Sequence, residues 1–150
     1  MYEFAGGDAA FLALAEAHHQ RCLDEPELSH AFSHGFNPDH VKNLAAYWAE
    51  VFGGPPAYSE RHGGHSAMLT LHAGTGMAED WAERFCACFL QAVDDARLPG
   101  DSEFRRSLRE YIEFAVQDIV AYSPPGSRVP AALAMPLWSW DGPSEPDPAP

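Results

Sequence analysis

At 150 residues and 46% apolar composition, the chain can bury one hydrophobic core and forms one domain. Its formal net charge of −13, from 22 acidic against 9 basic residues, excludes DNA, RNA and anionic membranes as partners. Three cysteines, Cys22, Cys86 and Cys88, supply no disulfide framework, because their number is odd and the last two stand two apart in a helical segment.

No stretch approaches membrane-spanning length. Met1-Tyr2-Glu3 lacks the basic start of a secretory leader and no long apolar run follows, so a reduced, cytoplasmic protein is expected. Asp8 reads as the cap of a helix from Ala9 to about Cys22, with Phe11, Leu14, His18 and Cys22 at helical spacing and His19 beside that stripe. Pro26 interrupts it, and Glu27 to Phe32 have room for one short turn. Asn37-Pro38-Asp39 then carries a cap, a proline at the first helical position and an acid in the first turn. The helix it opens runs to about Phe52 and stops at Gly53-Gly54-Pro55-Pro56. His40, Leu44, Tyr47 and Val51 share one face, which Trp48 and Phe52 widen.

Residues 53 to 76 hold Gly53, Gly54, Pro55, Pro56, Gly63, Gly64, Gly74 and Gly76, so little regular structure is expected there beyond one turn around His72. The apolar Met68, Leu69 and Leu71 argue against disorder, and a long irregular segment inside a compact domain is usually functional. Ala78 to Ala96 reads as a helix, and Asp101 or Ser102 caps a further one that runs to about Tyr122 and is ended by Pro124-Pro125. The remaining Pro-rich tail, residues 126–150, is expected to be partly disordered from Asp141 on, with Trp138 and Trp140 placed to pack onto the body. The result is an all-α chain of four main helices in two pairs, without a strand pattern.

His72 is a lone imidazole in a short apolar run, and His40 lies on an otherwise apolar helix face. A buried imidazole needs a hydrogen-bond partner or a ligand, so an interior that receives several of them suits a metal or a haem. His30, His34, His62 and His65 lie in polar loops and are read as residues without a role. No strand–turn–helix surrounds Ser59 or Ser66, and no glycine-rich loop follows a strand, which removes serine hydrolases and phosphate cradles.

The order of these elements resembles the truncated haemoglobins, group II most closely, over roughly residues 2 to 122. The resemblance rests on Tyr2 followed by Gly6-Gly7 and Phe11, on Pro26-Glu27-Leu28 before Phe32, on Tyr47-Trp48 ahead of Gly53-Gly54-Pro55 and Tyr58-Ser59-Glu60, and on His72-Ala73 before two long helices. It implies a globin domain over residues 1–125, folded as a two-over-two helical sandwich around one haem b, with the tail as an extension. It places the proximal iron ligand on His72. On the distal side it puts His19 where the family commonly has tyrosine, Phe32 as the aromatic packed on the haem, His40 at the first position facing the ligand and Leu44 one turn on. Phe85 stands where group II usually offers tryptophan, and Gly74-Thr75 where Pro and Phe often follow the proximal His-Ala. Trp48 is counted among the residues lining the cofactor, and Arg61 is the candidate for its propionates.

The resemblance further implies a diatomic gas ligand, O2 or NO, with His40 and His19 as donors or proton carriers in peroxidase-like or NO-converting chemistry, an external reductase, and a monomer or homodimer. Two other classes compete. In one, His18, His19 or His40 joins Cys22 around zinc. In the other, a haem-less interaction module presents Trp138 and Trp140 to a partner.

Overall fold

The computed structural model describes residues 1–33, 35, 37–77 and 79–144. Tyr2–Ala5 (α1) and Gly7–Asp24 (α2) are separate helices joined at Gly6, whose φ of 115° turns the chain. The first long helix therefore starts two residues before the expected Ala9. Asp8 acts inside it by accepting a hydrogen bond from the Tyr2 hydroxyl at 2.8 Å rather than as its cap.

Pro26–Ser29 (α3) is one turn with Pro26 at its start, capped by the Glu25 carboxylate on the Leu28 N–H. A 3-10 turn, His30–Phe32, follows. His40–Val51 (α4) begins with Asp39 at its N-cap, so Pro38 lies in the turn ahead of the helix and not at its first position. Asn37 closes that turn by accepting from the Asp39 N–H at 2.9 Å.

The segment 53–76, expected to be largely irregular, contains two helices: Ala57–His62 (α5) and Gly64–His72 (α6). The reason lies in where the glycines fall. Gly63 and Gly64, at φ 84° and 71°, occupy the joint between the helices, a left-handed backbone that L side chains rarely adopt, and leave both runs free to coil. A buried carboxylate supports α5: Glu50, 5% exposed, accepts from the Tyr58 N–H at 3.0 Å, from the Ser59 N–H at 2.9 Å and from the Ser59 hydroxyl.

Glu79–Asp95 (α7) and Ser102–Tyr122 (α8) complete the helices. Asp101 caps α8 by accepting from the Glu103 and Phe104 N–H groups. The expected start of α7 at Ala78 lies outside the described residues, as do His34 and residues 145–150 of the tail.

α2 packs on α4 and on α7, and α7 packs on α8, which gives the two-over-two arrangement. Between the pairs lie Phe11, Leu14, Trp48, Val51, Phe52, Phe89, Phe104, Leu108, Tyr111 and Ile112, all buried. A run of rings crosses this core: Tyr2 on Phe11, Phe11 on Phe52, and Phe52 edge-on to Tyr111 at 4.8 Å.

The tail departs from expectation. Trp138–Ser139 (β1) and Gly142–Pro143 (β2) pair as a small antiparallel hairpin, so Asp141 to Pro143 are ordered and a strand pair exists. Trp138 is buried against Tyr111 and Phe114, and its Nε1–H donates to the Ser107 hydroxyl, which itself donates to the Ser139 carbonyl. Trp140 meets Phe4 and Phe104. The tryptophans hold the tail to α1 and α8, which removes the reading of Trp138 as a partner-binding surface.

Candidate functional site

The walls of the site are α4 and α6. Along α4, residues 40, 44 and 47 follow one stripe; along α6, residues 65, 69 and 72 do the same, by steps of four and three. At one end the two helices are fastened. Tyr47 and His65 are buried, and the Tyr47 hydroxyl lies 2.7 Å from His65 Nδ1. His65 Nε2 lies 2.9 Å from the Asp118 carboxylate on α8. Asp118 accepts only, so Nε2 carries a proton; in the neutral ring Nδ1 then accepts from the phenol. Burial pushes the Tyr47 phenol well above its ordinary range, so its hydroxyl stays protonated and donates.

Two turns along each helix, about 10 Å at 1.5 Å per residue, stand His40 and His72. His72 is the last helical residue of α6. Its Nδ1 lies 2.9 Å from the Met68 carbonyl one turn back. The carbonyl can only accept, so Nδ1–H donates, and Nε2 carries the lone pair. Burial lowers the His72 pKa, while the Met68 bond works the other way. His40 is half-buried; its pKa is lowered first by burial and then by the charges that His19 and His72 would carry. Burial also lowers that of His19. All three imidazoles are therefore held toward the neutral form, the form that binds a metal and that offers one N–H and one lone pair.

His19, Phe32 and His40 form an aromatic cluster beside them. His19 lies 5.1 Å from Phe32 and 5.2 Å from His40, and Phe32 lies 5.6 Å from His40, measured between ring centres. Leu44, half-buried, packs on the main core.

The remaining candidates lie on α7, α4 and α5. Phe85 is edge-on to His18 at 4.4 Å and stacked on Trp81 at 4.9 Å. Trp48 is buried between His18 and Phe89. Arg61 is exposed in the last turn of α5. His18 and Cys22 do meet, with Nε2 3.5 Å from the sulfur, yet the described residues contain no group of three or more His, Cys, Asp or Glu able to hold a metal ion. Burial pushes the Cys22 thiol far above its ordinary range. A zinc site at this pair has no third ligand among the described residues.

Expected in a loop without a role, His65 instead lies in α6 and ties that helix to Tyr47 on α4 and Asp118 on α8. The signal was the seven-residue spacing from His72, two helical turns. It was hidden because Gly63-Gly64 was read as breaking the helix throughout, rather than only at its start. Asp118, 53 residues further on, had no local signal at all, and the Met68 carbonyl comes within reach of His72 only once α6 is helical.

A family model described as "Bacterial-like globin" matches residues 1–119. The chain belongs to this family of globins. The globin is 29% identical over 92 residues to a two-on-two hemoglobin of Arabidopsis thaliana, an alignment that takes in 60% of this chain and 52% of the plant protein. It spans about half the length of that relative, and 60% of the group 2 truncated hemoglobin of Lotus japonicus that it also matches. It is 24% identical over 114 residues to a group 2 truncated hemoglobin of Bacillus subtilis, which covers 83% of that protein. Among solved structures it superposes on a hemoglobin of Thermobifida fusca with a TM-score of 0.69 at 27% identity, over 79% of this globin and 94% of the other. A group II truncated hemoglobin of Bacillus anthracis gives 0.71 over 83% and 92% of the two chains; at 24% identity it bears on the fold alone. The two-over-two sandwich and the resemblance to the group II truncated haemoglobins are both borne out.

Membership implies a haem, and the donor set fits one. His72 has the tautomer in which Nδ1 is held by a carbonyl and Nε2 is left with the lone pair that iron would take, at the end of α6. No described helix is long and apolar enough to cross a membrane.

Proposed function

We propose that this globin holds one haem b through His72 Nε2 and binds a diatomic gas, O2 or NO, on the side of His40 and His19. The observation that carries the reading is the bond from His72 Nδ1–H to the Met68 carbonyl, 2.9 Å. It fixes which nitrogen is free, holds the ring plane and raises the basicity of that nitrogen.

Phe32 and Leu44 supply apolar contact to the ring system, with Phe85 and Trp48 behind them, and Arg61 is the cation for a propionate. Bound ferrous haem supplies an open coordination position at which O2, NO or CO is taken up. The protein's part is donor placement. A neutral His40 or His19 would present an N–H donor to a diatomic ligand held on that side. Its second nitrogen can accept a proton, so the same ring would act as a proton carrier for hydrogen peroxide entering the site. Together with the haem that His72 would hold and electrons from an external reductase, this would suit peroxidase-like or NO-converting chemistry.

The test is the visible spectrum of haem-supplemented protein, ferric and then reduced, beside His72→Ala. The expected result is near-equimolar haem with a histidine-type spectrum in the wild type and loss of tight binding in the variant. Normal haem content in His72→Ala would overturn the ligand assignment.

A further inference from the structure

α6 has nine residues, too few to be stable alone, and His72 is its last. Where His72 stands is therefore decided by what grips α6 from outside. Beyond the latch at His65, two grips come from the end of the chain, past the stretch that matches the family.

The first centres on Ser123, just beyond α8 and 1% exposed. Its carbonyl accepts from the Gly76 N–H at 2.9 Å, and the neighbouring Tyr122 carbonyl accepts from the Gly74 N–H at 3.1 Å. Its hydroxyl accepts from the Met77 N–H and lies 3.4 Å from the Thr75 hydroxyl. Thr75 in turn donates to the carbonyl of His72 itself at 2.6 Å. Because that bond uses the only Thr75 hydroxyl proton, Ser123 is the donor between the two, and the bonds run in one direction, Ser123 to Thr75 to His72. The second grip is at the opposite end of α6. The Ser66 hydroxyl donates to the Pro130 carbonyl at 2.9 Å and accepts from the Leu133 N–H at 2.8 Å.

We propose that Ser123, acting through Thr75, is a positioning residue for His72, and that residues 130–133 brace the other end of the same helix. The proposal rests on His72 as the iron ligand. Loss of the Ser123 hydroxyl removes its bonds to Thr75 and Met77, loosens the loop beyond α6 and weakens the hold of His72 on the iron.

The experiment compares full-length wild type, Ser123→Ala, Ser123→Thr and Ser66→Ala. Three readings are taken: haem loss to excess apomyoglobin, the iron–imidazole vibration of the CO adduct immediately after photolysis, and amide exchange at residues 73–77 in haem-free protein. Ser123→Ala is expected to lose haem about tenfold faster, as removal of supporting partners does at metal sites, with a displaced vibration and lost protection at Met77, whose N–H loses its acceptor. Ser123→Thr keeps the hydroxyl and should restore all three, and Ser66→Ala should speed haem loss by a smaller factor. Unchanged haem loss and vibration in Ser123→Ala would overturn the proposal, as would a threonine variant as impaired as the alanine one. Should Ser123→Ala not fold, Thr75→Val removes the middle hydroxyl and carries the same expectations for haem loss and the vibration, with the Met77 bond to Ser123 kept. If the wild type takes no haem through His72, the ligand reading fails on that result, while unchanged exchange at 73–77 would separately remove the grip.

Discussion

Single side chains carry much of the electrostatics. His18 is enclosed by Trp48, Phe85 and Phe89, and this burial pulls its pKa down to about 3. In the unfolded chain an imidazole titrates near 6.5. The folded value is the lower one, so as pH falls the unfolded state takes up the proton first. The stability associated with neutral His18 is fully present above about pH 6.5 and is lost between there and about pH 3, by at most about 1.4 kcal/mol per pH unit. His18→Phe keeps a ring in the cage and removes the titration. Its Tm should fall less than that of the wild type on acidification through this window, and an equal slope in the two proteins would show that His18 is not the group responsible. Tyr47 and His65 invite a second test. Tyr47→Phe, His65→Leu and the double variant should show a coupling of about 1 kcal/mol by urea unfolding, the worth of one buried hydrogen bond. Additivity within error would mean that the 2.7 Å contact contributes nothing of its own.

Among the elements, the joint after α4 sets the direction of everything that follows. The Gly54 N–H donates to the Ala49 carbonyl at 2.8 Å, closing the end of the helix. A Cβ built on Gly54 would stand 2.7 Å from that same carbonyl oxygen and 2.7 Å from the Tyr2 ring. The ring can move aside and the backbone cannot. Gly54→Ala should therefore destabilise by about 1–3 kcal/mol in chemical denaturation, whereas Gly100→Ala, where a Cβ meets nothing within 4 Å, should be close to neutral. At this scale the sequence was legible where one signal dominated. Asp101 ahead of the α8 stripe and the glycine–proline stop after α4 were read correctly. It was misread at α5 and α6, because clustered glycines mark either a disordered stretch or sharp joints between short helices. The choice between them rests on the Glu50 carboxylate and on packing against α8, contacts that no local pattern contains.

For the whole molecule, the two pairs of helices are closed over by the tail. Trp138 fills a place against Tyr111 and Phe114, and its indole N–H is matched by Ser107. Trp138→Ala removes this contact and leaves the Ser107 hydroxyl short of a donor, a change of about 3–5 kcal/mol. For a chain of this size the Tm should drop by roughly 10 °C in calorimetry. A drop of about 2 °C or less would mean that the hairpin merely rests on α8.

The sequence by itself determined the helical class and the order of the four main helices, which follow from helical periodicity, a local property. His72 and His40 stand out there as imidazoles in apolar surroundings, while the ligand role of His72 and the grouping of His19, Phe32 and His40 near it rest on the resemblance to the group II truncated haemoglobins. Only the tertiary structure decided that His65 joins Tyr47 to Asp118, that Glu50 supports α5, that Ser123 and Ser66 reach α6, and that Trp138 seals the core. Each of these is a hydrogen bond or ring contact between residues that the chain brings together from different elements. A residue's partner across such a gap is set by how helices pack, and nothing in the run of amino acids on either side of it records that.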